Sequence, residues 1–131
     1  MRVLLTGSAG FIGTAIAAQL SDAGHEVIGV DALVPQAHPA SAELPQGAHR
    51  LDVQMAGDWA HLLEGVDVVC HQAAVVGAGV TVADLPLYAG HNDLGTAALL
   101  AAMTFAGVDR FVLASSMVVY GECRFLVRLP T

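Results

Sequence analysis

The sequence contains no lysine, and its five basic residues are Arg2, Arg50, Arg110, Arg124 and Arg128. Against 12 acidic residues this leaves a formal net charge of −7. So few cations form no basic face, which excludes a partner bound through a nucleic-acid backbone. Two cysteines, Cys70 and Cys123, are too few for a disulfide framework, and Cys70 reads as a buried strand residue, so the cytoplasm is the expected compartment. The longest uncharged apolar stretch, Leu94 to Val108, is too short and too broken by glycine to span a bilayer, and no membrane partner is expected. The histidines, His25, His38, His49, His61, His71 and His91, show no metal-ligand spacing, so no metal is expected. Repeats and low-complexity tracts are also missing. An Met-Arg start before an apolar run suggests a signal peptide, but glycines interrupt that run and the unit that follows needs its strand.

What is present is apolar and small. Of 131 residues 55% are hydrophobic and mean hydropathy is +0.62, which buried parallel strands and alanine-rich helices explain. The length suits one domain with a real core. Everything hangs from residues 1–31. Val3-Leu4-Leu5-Thr6 has strand character, and Gly7, Gly10 and Gly13 follow as G-x-x-G-x-x-G. Phe11 to Ser21 reads as a helix stopped by Gly24, and Val27 to Val30 as a strand ending on Asp31. This is a βαβ unit. Its glycines allow a sharp turn and bring backbone N–H groups and a helix N-terminus up to a pyrophosphate. Asp31, closing the second strand, is placed to accept hydrogen bonds from an adenosine ribose. A carboxylate there repels a 2′-phosphate by roughly 1–4 kcal/mol at contact distance, so NAD is expected over NADP.

The rest of the chain continues the alternation. Three prolines between Ala32 and Gly47 argue against a regular second helix, and His38 within that connection shows no chemistry. Ala48 to Val53 is the third strand, with Asp52 and Val53 at its ligand-side end. A short helix from Trp59 to Glu64 follows, capped by Asp58 and Gly65. Val66 to Cys70 is the fourth strand, running into a small-residue loop, His71 to Gly77, that permits close contact with a flat ligand. After a loose segment containing Pro86 and Tyr88, His91 to Ala106 reads as a long helix, apolar nearly all round and ended by Gly107. Arg110 to Ser115 is the fifth strand, followed by Ser116 to Gly121. Right-handed crossovers then give an α/β, Rossmann-type doubly wound parallel sheet in the order 3-2-1-4-5.

Five motifs in order, TGSAGFIG, Asp31, HQAA, HNDLGT and SSMVVYG, resemble the extended short-chain dehydrogenase/reductases. More narrowly they resemble the NAD-dependent epimerase/dehydratases that act on nucleotide sugars. The resemblance covers residues 1 to about 122 and implies roles by position. Gly7, Gly10, Phe11, Ile12 and Gly13 would hold the pyrophosphate and Asp31 the adenosine ribose. Asp52 and Val53 would meet the adenine. Gln72, Ala73 and Ala74 would line the path to the nicotinamide, and Val76 falls where some relatives carry a cofactor-binding lysine. Asn92 matches an asparagine that steadies the site. Ala114 and Ser115 would pass near the nicotinamide. Ser116 matches the catalytic Ser/Thr that hydrogen-bonds the reacting sugar oxygen, whereas Tyr120 belongs to a structural signature.

The resemblance also implies a Tyr-x-x-x-Lys pair, whose lysine makes the tyrosine an effective base near neutral pH. A chain without lysine carries no such pair. Residues 1–121 are therefore expected to be an NAD-binding domain truncated before the sixth strand, and residues 122–131 a short tail. The parent activity would be epimerisation, dehydration or reduction of a nucleotide-linked sugar, while this chain would be inactive or nearly so. The alternative is a non-catalytic NAD-binding module or regulator. Without the missing helix, parts of the first, fourth and fifth strands are expected to lie bare, and the chain to pair with a second copy as a homodimer.

Overall fold

A computed structural model describes residues 1–77 and 81–116. Strand β1 (Arg2–Thr6) feeds helix α1 (Phe11–Asp22), which returns to β2 (Glu26–Asp31). A short β3 (His49–Arg50), two 3-10 turns (Val53–Met55 and Ala60–Leu63) and β4 (Val68–His71) follow. Helical backbone then runs from a 3-10 turn, Val82–Asp84, through α2 (Leu85–Tyr88) and a π-turn, Ala89–Leu94, into α3 (Gly95–Ala106). Strand β5 (Phe111–Leu113) closes the sheet. All four pairings are parallel and the order is β3-β2-β1-β4-β5, as the sequence predicts.

Period-two alternation divides the sheet between two apolar layers. Leu4, Ile28, Val30 and Val69 pack with Leu99, Ala102 and Met103 of α3 and with Trp59 and Leu63 of the turns. Val3, Leu5 and Cys70 point the other way, onto Ile16, Ala17 and Leu20 of α1. The central strands are thus covered on both faces. The expectation of bare β1 and β4 is corrected: Val3–Thr6 and Val69–His71 are buried, and of the three strands expected to lie bare only β5 is open, with Val112 and Leu113 about half exposed.

Local bonds explain where the elements depart from the sequence reading. The third strand has two residues rather than six. Leu51 N–H still reaches Asp31 O at 3.0 Å, but Asp52 then turns its carboxylate onto Gln54 N–H at 2.8 Å and starts a 3-10 turn. The stretch read as a helix from Trp59 to Glu64 is a single 3-10 turn, Ala60–Leu63, with Trp59 at its N-cap in place of Asp58. The fourth strand starts two residues later and ends one residue later than expected, so His71 lies in it instead of opening the loop. The segment before His91, read as loose, is helical. Its Pro86 sits in the first turn of α2, where no N–H partner is lost, and Thr81 and Asp84 form a capping box ahead of it. Among the described residues no helix is long and apolar enough to cross a membrane.

Candidate cofactor site

The carboxyl ends of the parallel strands open on one cleft of about 850 Å³. Its floor is the turn from β1 into α1. Gly7 adopts φ +69°, and a Cβ there would lie 2.7 Å from Ala73 N. At Gly13 a Cβ would stand 1.9 Å from Gly7 O, so only glycine lets the first helical turn lie against the strand end. Helix α1 starts at Gly10 with no side-chain cap and no acid in its first turn. Its N-terminal N–H groups and dipole therefore face the cleft, and Phe11 and Ile12 stand in the open, 95% and 60% exposed. This arrangement fits an anionic pyrophosphate.

Asp31 ends β2 and is buried, 7% exposed. Its Oδ2 accepts from Ala9 N–H at 2.9 Å and its Oδ1 from Leu33 N–H at 2.8 Å, while His38 Nε2 lies 3.3 Å from Oδ1. Leu33 takes φ +52°, the one positive φ of a non-glycine among the described residues, at a cost of roughly 1 kcal/mol. The Asp31 carboxylate holds that turn, which brings Val34 to His38 along the cleft wall. The sequence reading saw no chemistry in His38; the structure sets its Nε2 against the Asp31 carboxylate.

At the neighbouring corner Asp52, Gln54 and His91 form a cluster. Gln54 Nε2 lies 3.3 Å from Asp52 Oδ2 and 3.1 Å from His91 Nδ1, and His91 Nδ1 is 3.7 Å from Asp52 Oδ1. Trp59 Nε1–H fixes Asp52 from behind by donating to its carbonyl at 2.8 Å.

The opposite wall joins three distant segments through one buried histidine. Ala73 N–H donates to Thr6 Oγ1 at 3.2 Å, Thr6 Oγ1 meets His71 Nδ1, and His71 Nε2 meets Thr96 Oγ1 at 3.0 Å. Thr96 donates to Asn92 O, so its hydroxyl accepts from His71, which fixes the Nε2–H tautomer and makes Nδ1 the acceptor of the Thr6 hydroxyl. Burial away from water holds the His71 pKa below its ordinary value of 6.5. Asn92 donates to Val75 O at 2.9 Å and accepts from Val75 N–H at 2.8 Å, clamping the 72–77 loop.

Every residue singled out in the sequence lines this cleft: Gly7, Gly10, Phe11, Ile12, Gly13, Asp31, Asp52, Val53, Gln72, Ala73, Ala74, Asn92, Ala114, Ser115 and Ser116. Tyr120 and the tail 122–131 lie outside the described residues. The reading missed His38, His71, His91 and Thr96, which share the cleft. A signal for His71 was present. Thr6 and His71 are the polar ends of two apolar strands, and parallel pairing sets them side by side. Among the described residues no group of His, Cys, Asp and Glu is placed to hold a metal ion.

The strand order, the glycine turn and the acid ending β2 define a Rossmann-type α/β protein. The chain belongs to the NAD dependent epimerase/dehydratase family, whose model matches residues 3–128. It is 36% identical over 133 residues to an uncharacterised UDP-glucose epimerase, YtcB, of Bacillus subtilis, covering 93% of this chain and 42% of that protein. It is 40% identical over 122 residues to a 3 beta-hydroxysteroid dehydrogenase/Delta 5-->4-isomerase of Mycobacterium tuberculosis, covering 88% of this chain and 31% of that one. A UDP-glucose-4-epimerase of Stenotrophomonas maltophila, crystallised with NAD and formylated UDP-arabinopyranose, superposes with a TM-score of 0.83 at 32% identity, covering 96% of this chain and 40% of that chain. The chain thus spans about two fifths of the Bacillus and Stenotrophomonas proteins.

Proposed function

We propose that this chain is the cofactor-binding part of an NAD-dependent epimerase/dehydratase acting on a nucleotide-linked sugar. One observation carries the reading: the uncapped N-terminus of α1, reached across Gly7 and Gly13, shares a cleft with the buried carboxylate that ends β2. The backbone from Gly7 to Gly13, with Phe11 and Ile12, receives the pyrophosphate. Asp31 accepts from the adenosine ribose, Asp52 and Val53 border the adenine, and Gln72, Ala73 and Ala74 line the way to the nicotinamide. Asn92 holds that loop through Val75, Ala114 and Ser115 flank the nicotinamide, and Ser116 polarises the sugar oxygen. Bound NAD supplies the acceptor for a hydride from a sugar carbon.

The chain itself carries no lysine, hence no Tyr-x-x-x-Lys pair, and it binds cofactor with little or no turnover. A positioned general base is worth roughly 10²–10⁴ in rate. The same lack of lysine supports a second reading, a non-catalytic NAD-binding module or regulator. The steroid relative is 40% identical over 122 residues to this chain yet is named for a different substrate, so the nucleotide sugar rests on the epimerase relatives. We place a second copy of the chain against the helical stretch of the π-turn and α3, where Leu94, Leu100 and Phe105 are exposed. Light scattering at tens of micromolar should show a dimer, and a monomer overturns that contact.

Calorimetric titration with NAD and NADP tests the cofactor. NAD should bind more tightly than NADP, and Asp31→Ala should weaken NAD by roughly tenfold or more while narrowing the difference. Equal affinity for the two in the unmutated chain removes the role of Asp31, and no binding of NAD removes the reading.

A further inference from the structure

We infer that His38 makes the choice between NAD and NADP depend on pH. As a neutral ring it leaves the Asp31 carboxylate to repel a 2′-phosphate. As an imidazolium it offsets that charge and presents an N–H to the phosphate. The inference rests on the cofactor reading above and concerns the same end of the cleft.

The geometry is specific. The Asp31 and His38 side chains are buried, 7% and 11% exposed, with Nε2 3.3 Å from Oδ1. The other two groups on the carboxylate, Ala9 N–H and Leu33 N–H, supply dipoles and no net charge. His38 is held there by the chain itself. The left-handed Leu33 reverses the backbone after β2, and the N–H groups of Ala37 and His38 both bond Val34 O, at 2.9 and 3.0 Å. Both His38 and Asp31 line the cleft.

No other charge competes for this position among the described residues. Arg50 stands opposite Asp31 in the β2–β3 register but is exposed and forms no ion pair with it. Glu43 and His49, on the connection and on β3, are exposed. Asp52 and His91 face each other at 3.7 Å, and His71 is bonded to Thr6 and Thr96. Histidine is the side chain whose charge changes between about pH 5 and 8, and among the described residues His38 is the one basic side chain in contact with Asp31.

The test is calorimetric titration of the whole chain with NAD and with NADP, at about pH 8 and about pH 5.5. It is run on the unmutated protein, on His38→Gln and on His38→Arg. In the unmutated chain the preference for NAD should narrow roughly three- to tenfold on acidification. The 2′-phosphate takes up a proton of its own near pH 6 in every variant. The inference is therefore read as the narrowing in the unmutated protein beyond that in His38→Gln. His38→Arg, charged at both pH values, should show the narrowed preference already at about pH 8. Equal narrowing in the unmutated protein and His38→Gln overturns the role of His38 and leaves the cofactor reading standing. So does a His38→Arg variant that keeps the full preference at about pH 8. Failure of NAD to bind the unmutated chain at about pH 8 overturns both.

Discussion

The two walls of the cleft are built by different means. The floor and the α1 wall are backbone: Gly7, Gly10 and Gly13 lie within seven residues, and what matters at Gly7 and Gly13 is the lack of a Cβ. The wall at β4 and the π-turn is side chain: Thr6, His71 and Thr96 bond across separations of 65 and 25 residues, and Asn92 ties down Val75. The first wall tolerates no added atom and is indifferent to pH. The second tolerates exchange of like for like and responds to protons. A cleft made this way offers a fixed surface to an invariant charged group and an adjustable one to the rest of its ligand.

Breaking the backbone wall should cost most. Gly13→Val puts atoms where even a Cβ would sit 1.9 Å from Gly7 O, and α1 must leave the sheet to make room. Urea unfolding should show a loss of about 3 kcal/mol or more; a loss below about 1 kcal/mol would mean that the close approach of α1 is not needed.

The His71 wall should come next. His71→Ala takes the imidazole from the buried Thr6 hydroxyl and the half-buried Thr96 hydroxyl and leaves a cavity beside Phe111, whose ring stacks on the imidazole at 5.7 Å, for about 2–4 kcal/mol. Of these two walls only this one carries a proton signature in stability. The folded His71 pKa lies below the ordinary 6.5, so just below that pH the unfolded chain binds a proton that the folded chain refuses. Its contribution to stability is full above pH 6.5 and is lost as pH falls through that value toward the folded pKa, with a slope of at most about 1.4 kcal/mol per pH unit. Unfolding measured from about pH 8 to about pH 5 should show this fall in the unmutated chain and a shallower one in His71→Gln. Matching slopes would remove the distinction between the walls. The smallest effect belongs to Asn92→Ala, which gives up two hydrogen bonds to Val75 and should cost about 1–2 kcal/mol, with weaker NAD binding through the loosened loop. Unchanged affinity beside lowered stability would confine Asn92 to folding.

Legibility in the sequence followed the same division. The G-x-x-G-x-x-G turn, helix α1 and Asp31 were readable because each depends on neighbours within one βαβ unit. Asp52, by contrast, was placed at a strand end, and its own bond to Gln54 N–H had already ended that strand. The segment containing Pro86 and Tyr88 read as loose before His91. The chain is helical there because Pro86 falls in a first turn behind the Thr81–Asp84 capping box, and within α3 Gly95 makes room for Val53, whose Cγ2 would lie 2.7 Å from an added Cβ.

By itself, the sequence determined the parallel sheet, its order and the residues that gather at one edge of it, since alternation, glycine spacing and crossover handedness act through short stretches of chain. Only the tertiary structure decided what those residues touch. The meetings of His91 with Gln54 and of His71 with Thr6 and Thr96 join positions far apart in sequence, and His38 meets Asp31 only because the turn at Leu33 folds the chain back. No local preference encodes such pairs; they form because packing withdraws the polar groups from water and leaves each needing the other.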